Sequence, residues 1–213
     1  LFLSTKWSDL TIVCGDKTFP AHRCVVCPQS SYFARACDGN FKESCGNIEI
    51  KDVKPILVEK TLQFLYTGDY TMKSDMPSST EKFGQPSPLA SPASQSLSAS
   101  FQTQTADFCP ARFHVGMYAQ GTYFQVDALK AKAKEHFARA FLEGPVTIAA
   151  TVAEVYRSTV ASDRGLRDVV IEKIMKFLPL LTAGPVPFIG VHILKQVPEF
   201  AVDLCLASLA NNV

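Results

Sequence analysis

The chain has no excess of either charge: 21 Lys and Arg stand against 20 Asp and Glu, a formal net charge of +1, with a pI near 7.7. Nucleic-acid affinity comes largely from counterions displaced by Lys and Arg, so nonspecific binding to DNA or RNA is not expected. There is also no uninterrupted apolar run of membrane-spanning length. The most apolar stretch, Ile174 to Leu194, is broken by Lys176, Pro179, Pro185 and Pro187, which excludes a continuous spanning helix there. The amino end, Leu-Phe-Leu-Ser-Thr-Lys-Trp, lacks the basic start, apolar core and small-residue cleavage site of a signal peptide, and the missing initiator Met reads as a trimmed fragment. No repeat period emerges. With no glycine-rich phosphate loop and no acid–base pair at catalytic spacing, neither an enzyme nor a cofactor is expected. The seven cysteines have no short, regular spacing of the kind that marks a secreted disulfide framework. They read as reduced thiols of a cytoplasmic or nuclear protein.

What is present is a chain of 213 residues, 47% apolar, enough for one large domain or one domain with an extension. Leu10-Thr11-Ile12-Val13-Cys14 alternates and is rich in β-branched residues, Gly15-Asp16 is a turn signal, and Lys17-Thr18-Phe19 can return as the hairpin partner. Two short helices follow: Ala21 to Cys27, stopping at Pro28, and Ser30 to Cys37. Asn47 to Lys51 alternates as a half-buried strand. Val53 to Tyr66 has a helical rhythm, with Pro55 in its first turn and Gly68 just past its end.

Residues 72–112 shift to Ser, Thr, Gln and Pro, a composition that buries too little apolar surface to offset its ordering entropy. They read as a disordered insertion. Order resumes at Phe113, with Val115, Tyr118, Ala119, Thr122 and Tyr123 on one helical face, and a second helix runs from Val126 to Leu142 before Gly144-Pro145. Three more helices are expected: Thr147 to Val160, Ser162 to Leu178 and Pro198 to Leu209. In the second of these, Leu166, Val170, Ile174 and Phe177 form the apolar stripe, and Ser162 or Asp163 caps the start. Arg167, Asp168, Glu172 and Lys176 keep its other faces wet.

The order and spacing of Ser8-Asp9-Leu10-Thr11-Ile12, Phe19-Pro20-Ala21-His22-Arg23, Val25-Val26, Ser30/Ser31-Tyr32-Phe33, Phe41-Lys42-Glu43-Ser44, Ile48-Glu49-Ile50 and Phe64-Leu65-Tyr66-Thr67-Gly68 resemble a BTB/POZ domain. The resemblance resumes over Val115 to Leu129, and the helices beyond Gly144 are similar in style to the tails of fungal BTB proteins. It implies an α+β fold, short helices clustered with a small sheet, plus a C-terminal helical extension. The first part of the domain would occupy 1–71, the insertion 72–112, the last domain helices 113–143 and the extension 144–213. It also implies a non-catalytic role in protein–protein association, in which many members dimerise and many bind a cullin as substrate adaptors of ubiquitin ligases.

Phe41-Lys42-Glu43 lies where cullin-binding members carry a hydrophobic residue, any residue, then glutamate; Phe41 either anchors a partner or folds back on the domain. Asp9 and Arg23 match the charged dimer pocket of dimeric members, or else form an intramolecular ion pair at the strand–helix junction. Only seven residues precede the first strand motif, so the amino-terminal exchange of dimeric members is truncated or missing and a homodimer would need another route. His22 is expected to be a hydrogen-bonded structural histidine. Cys24 and Cys27, with Cys37 and Cys45 nearby, raise zinc, against which buried thiols are favoured because the CxxC falls on a helix rather than a knuckle. Ser87 and Ser91, each before a proline, are candidate phosphosites in the insertion. The expected partners are proteins, a cullin and a ubiquitination substrate, with no nucleic acid and no membrane.

Overall fold

The computed structural model of the chain describes residues 1–38, 46–73, 109–143, 147–183 and 188–210. Strands β1 (Leu10–Cys14) and β2 (Lys17–Ala21) pair antiparallel with Ile12 opposite Phe19. The reversal is made at Gly15, whose φ of +59° suits a residue without a Cβ. Alternation sends Leu10, Ile12, Cys14, Phe19 and Ala21 into the core. Pro20 is tolerated because β2 is an edge of the sheet, whose order is β2-β1-β3. Strand β3 (Asn47–Ile50) lies on the other side of β1 and parallel to it, burying Ile48 and Ile50.

A parallel pair needs a crossover, supplied here by α1 (Arg23–Val26) and α2 (Ser31–Asp38). Helix α1 ends ahead of Pro28 as expected, but it begins at Arg23 rather than Ala21, which completes β2. Pro28 itself sits in a 3-10 turn, Cys27–Gln29, where a missing N–H costs nothing. Ser30 then caps α2: its Oγ accepts from Phe33 N at 3.2 Å and donates to the carbonyl of Phe124 at 2.6 Å. Helix α3 (Pro55–Thr67) ends as anticipated, with Gly68 at φ +77° donating its N–H to Phe64 O at 2.8 Å.

Helix α4 (Pro110–Tyr123) begins before the expected end of the insertion, since Pro110 takes the first turn behind Cys109. Tyr123 is exposed rather than on the buried face, its ring 5.2 Å from that of Tyr32. Gln125 in the left-handed region (φ +56°), with Val126 N bonded to Gly121 O at 2.8 Å, turns the chain sharply into α5 (Asp127–Ala140). The two helices touch closely because Gly121 has no side chain: a Cβ there would lie 2.6 Å from Lys130 Cγ and 2.9 Å from its backbone nitrogen.

The extension forms α6 (Ile148–Ser158), α7 (Arg164–Thr182), α8 (Val191–Gln196) and α9 (Pro198–Ala210). Asp163 caps α7 as anticipated, accepting from Gly165 N at 3.2 Å. That helix runs past Leu178 through Pro179, whose missing N–H forfeits a single bond one turn from the helix end. Helix α8 has no counterpart in the sequence reading; six residues between prolines are too few for a periodic signal. Arg167, expected to be wet, is 2% exposed. Its guanidinium reaches the carbonyls of Thr159 (2.6 Å) and Tyr156 (3.3 Å) at the carboxyl end of α6.

The extension is seated on the preceding helices. Asp163 accepts from Tyr118 Oη at 2.6 Å and pairs with Lys130 Nζ at 2.9 Å, joining the start of α7 to α4 and α5. Hydrogen bonds from the Tyr118 hydroxyl and Lys130 outweigh the cost of burial and hold the Asp163 carboxyl below its ordinary range.

Candidate functional site

The residues singled out from sequence fall around the junction of the hairpin with α1. His22 is 3% exposed and saturated by the fold. Its Nε2 lies 2.8 Å from the carbonyl of Lys6, an acceptor, so this nitrogen carries the proton; Nδ1 accepts from Tyr66 Oη at 2.6 Å. The same hydroxyl accepts from His22 N at 2.8 Å. This arrangement is structural and leaves no ring nitrogen to act on a substrate.

Beside it, Asp9 accepts from the backbone N–H of Arg23 at 2.8 Å. This bond from the Arg23 amide ties the approach to β1 to the start of α1 at the strand–helix junction. The Arg23 side chain extends toward Gly46, where an added Cβ would lie 3.7 Å from Nη2. Gly46, at φ +89°, accepts from Thr11 N at 2.7 Å through its carbonyl. Phe41, Lys42, Glu43 and Cys45 lie outside the described residues, as do Ser87 and Ser91. Of the described residues nearest the Phe41-Lys42-Glu43 stretch, Asp38 ends α2 and Gly46 stands just before β3.

The cysteines of the CxxC point apart in character. Cys24 is exposed and Cys27 half-buried. Burial, with a hydrogen bond to Cys37, pushes the Cys27 thiol up to about 12. Among the described residues no group of three or more His, Cys, Asp or Glu side chains is placed to hold a metal ion, and no helix is long and apolar enough to cross a membrane.

Three polar arrangements were missed by sequence reasoning. Glu59 and Lys60 are fully buried and paired at 3.3 Å, with Lys60 Nζ also donating to Thr71 Oγ1 at 3.3 Å. His114 Nδ1 meets Tyr70 Oη at 2.9 Å while its ring stacks 5.2 Å from His136, whose Nε2 reaches Asp69 at 2.9 Å. Burial, and secondarily His136, holds His114 down to about 4. The third is a cleft of about 590 Å³ between the start of α3 and one face of α4. Cys109, Phe113, Gly116 and Gln120 line it at helical spacing; with the first of these hidden in the expected insertion, the sequence signal for the stripe was incomplete.

Residues 1–82 match the BTB/POZ domain family. The chain is similar to Kelch-like protein 30 of Mus musculus, 37% identical over 68 residues, which are 32% of this chain and 12% of that protein. It is also similar to Kelch-like protein 41b of Danio rerio (31% over 78 residues; 35% and 13%). Zinc finger and BTB domain-containing protein 14 of Gallus gallus matches as well (32% over 73 residues; 34% and 16%). The chain therefore spans well under a fifth of the length of these relatives. The fold is the α+β arrangement of a BTB domain, a small sheet among short helices, followed by a helical extension.

Proposed function

We propose that this chain, a BTB/POZ domain with a helical extension, acts as a cullin-bound substrate adaptor of a ubiquitin ligase. The coarser statement, a protein-interaction module, follows from the BTB/POZ match over residues 1–82, and that match is the observation that carries the finer one. In this reading Phe41 is the apolar anchor, Glu43 orients the partner and Lys42 lies between them. The chain contributes proximity, raising the effective concentration of a bound substrate near chemistry done by other subunits.

The rest of the sequence reading belongs to the same proposal. Residues 1–71 and 113–143, together with the first turn of α4 from Pro110, form the interaction domain; the stretch from 72 up to that turn is an insertion open to phosphorylation at Ser87 and Ser91, and 144–213 is an extension in the fungal style. The protein works in the cytoplasm or nucleus. A second reading is favoured by the similarity to a zinc finger and BTB domain-containing protein: an oligomerisation domain of a transcription-associated protein, self-associating through the Asp9 and Arg23 region.

Affinity purification of the full-length protein with partner identification separates the two. The adaptor reading expects a cullin among the partners, lost on Phe41→Ala or Glu43→Ala while other partners persist. Recovery of chromatin proteins without any cullin overturns it in favour of the second.

A further inference from the structure

The cleft between α3 and α4 has a thiol at one end and an unsatisfied amide at the other. Cys109 occupies the N-cap position of the 14-residue helix α4. Its Sγ lies 3.3 Å from Thr147 Oγ1 and 3.7 Å from Thr151 Oγ1. Gln120, three turns along the same face, is 6% exposed, and no donor among the described residues reaches its Oε1. A buried amide oxygen left in this state costs about 1–3 kcal/mol, which a ligand donor would recover once the Gln120 side chain rotates into the cleft that it lines. At 1.5 Å per residue the two ends are about 16 Å apart. Phe113 and Leu57 supply the apolar wall between them.

We propose that this cleft is a covalent modification site: Cys109 adds to soft electrophiles of the α,β-unsaturated carbonyl class whose apolar body lies along α4 and whose far end donates a hydrogen bond to Gln120. The thiolate lone pair forms the S–C bond at the β-carbon. The C=C π pair moves to the α-carbon, which takes a proton from water, while the thiol proton has gone to solvent. No leaving group and no electron acceptor is needed. Local chemistry favours the thiolate. Burial alone raises the thiol, but hydrogen bonds from Thr147 and Thr151 and from the backbone N–H groups of Ala111 and Arg112 bring it below its ordinary value.

Exposure alone ranks the reactivities the other way, because Cys24 and Cys205 are more exposed. The test treats the full chain with limiting N-ethylmaleimide and maps the adducts by peptide mass spectrometry, with Cys109→Ser as the control for assignment. Cys109 is expected to label severalfold faster than Cys24 and Cys205, with a rate–pH inflection below theirs. Thr147→Val with Thr151→Val slows Cys109 alone. A long-chain enone ending in a hydroxyl is expected to outpace its methyl-ended counterpart, an advantage that Gln120→Leu removes. Labelling of Cys109 no faster than Cys24, or an inflection that coincides with that of the exposed thiols, overturns the thiol assignment. Equal rates for the two enones, or a preference that Gln120→Leu leaves intact, overturns the ligand class.

Discussion

Replacing Arg167 with Ala is expected to cost the fold about 3–5 kcal/mol, the range for removing one partner from a buried, hydrogen-bonded charge. The magnitude follows from what is orphaned. The guanidinium is 2% exposed and donates to Thr159 Oγ1 at 3.0 Å, to the Thr159 carbonyl at 2.6 Å and to the Tyr156 carbonyl at 3.3 Å. The two carbonyls belong to the end of α6, where a helix has no partner of its own to offer, and each left dry costs about 1–3 kcal/mol. The guanidinium also lies 4.5 Å from the ring centroid of Tyr156, a contact of about 0.5–2 kcal/mol. Glu199, bonded to Nη1 at 2.5 Å, is 62% exposed; Glu199→Ala therefore removes under about 1 kcal/mol. Arg167→Lys falls between, because an ammonium cannot serve three diverging acceptors from one plane. Urea denaturation followed by circular dichroism gives the ordering, and hydrogen exchange should show protection lost first in α6 and α9. An Arg167→Ala loss no larger than that of Glu199→Ala refutes the reasoning.

Three further outcomes follow from the packing. His114, facing the Tyr70 hydroxyl, the Phe113 and His136 rings and, through His136, Asp69 and Lys132, is held down to about 4 from 6.5. A depressed histidine stabilises the fold above 6.5 and loses that contribution as pH falls toward 4. The urea midpoint should drop across this window and flatten in His114→Gln; the Asp69 carboxyl, held below 3.8 by His136, Tyr70 N–H and Lys132 against the cost of burial, acts only below it. Gly165→Ala places a Cβ 2.1 Å from Tyr118 Oη, which should break the Tyr118–Asp163 bond and cost about 1–3 kcal/mol, partly recovered by Tyr118→Phe. Gly121→Ala should lower Tm more than Gly116→Ala, since the first meets the Lys130 backbone at 2.9 Å and the second only the movable methyls of Leu57 at 3.2 Å.

The elements that sequence reading located share one property: their signal is local. The hairpin announces itself through alternation around Gly15, α3 through Pro55 and Gly68, and the start of α7 through Asp163. What it misplaced depends on distant partners. Arg167 neighbours the apolar stripe of α7 and reads as a solvated charge, yet it is drawn inward by carbonyls of another helix. The Glu59–Lys60 pair, fully buried in α3, likewise depends on packing that neighbouring residues do not announce. The cleft was unreadable for a related reason: Cys109 and Gln120 are joined by one face of α4, and the beginning of that helix lay in polar, proline-rich sequence. The bond from the Arg23 amide to Asp9 is likewise invisible in the sequence, because a backbone N–H is a donor at nearly every position and leaves no trace in residue identity.

The adaptor proposal is tested most directly by calorimetric titration of the full chain with the amino-terminal domain of a cullin from the same organism. Saturable binding at tens of micromolar or tighter, about 6 kcal/mol or more, abolished by Phe41→Ala and weakened by Glu43→Ala, is the predicted result. Absence of binding by the wild type at that concentration, or binding indifferent to both substitutions, contradicts it.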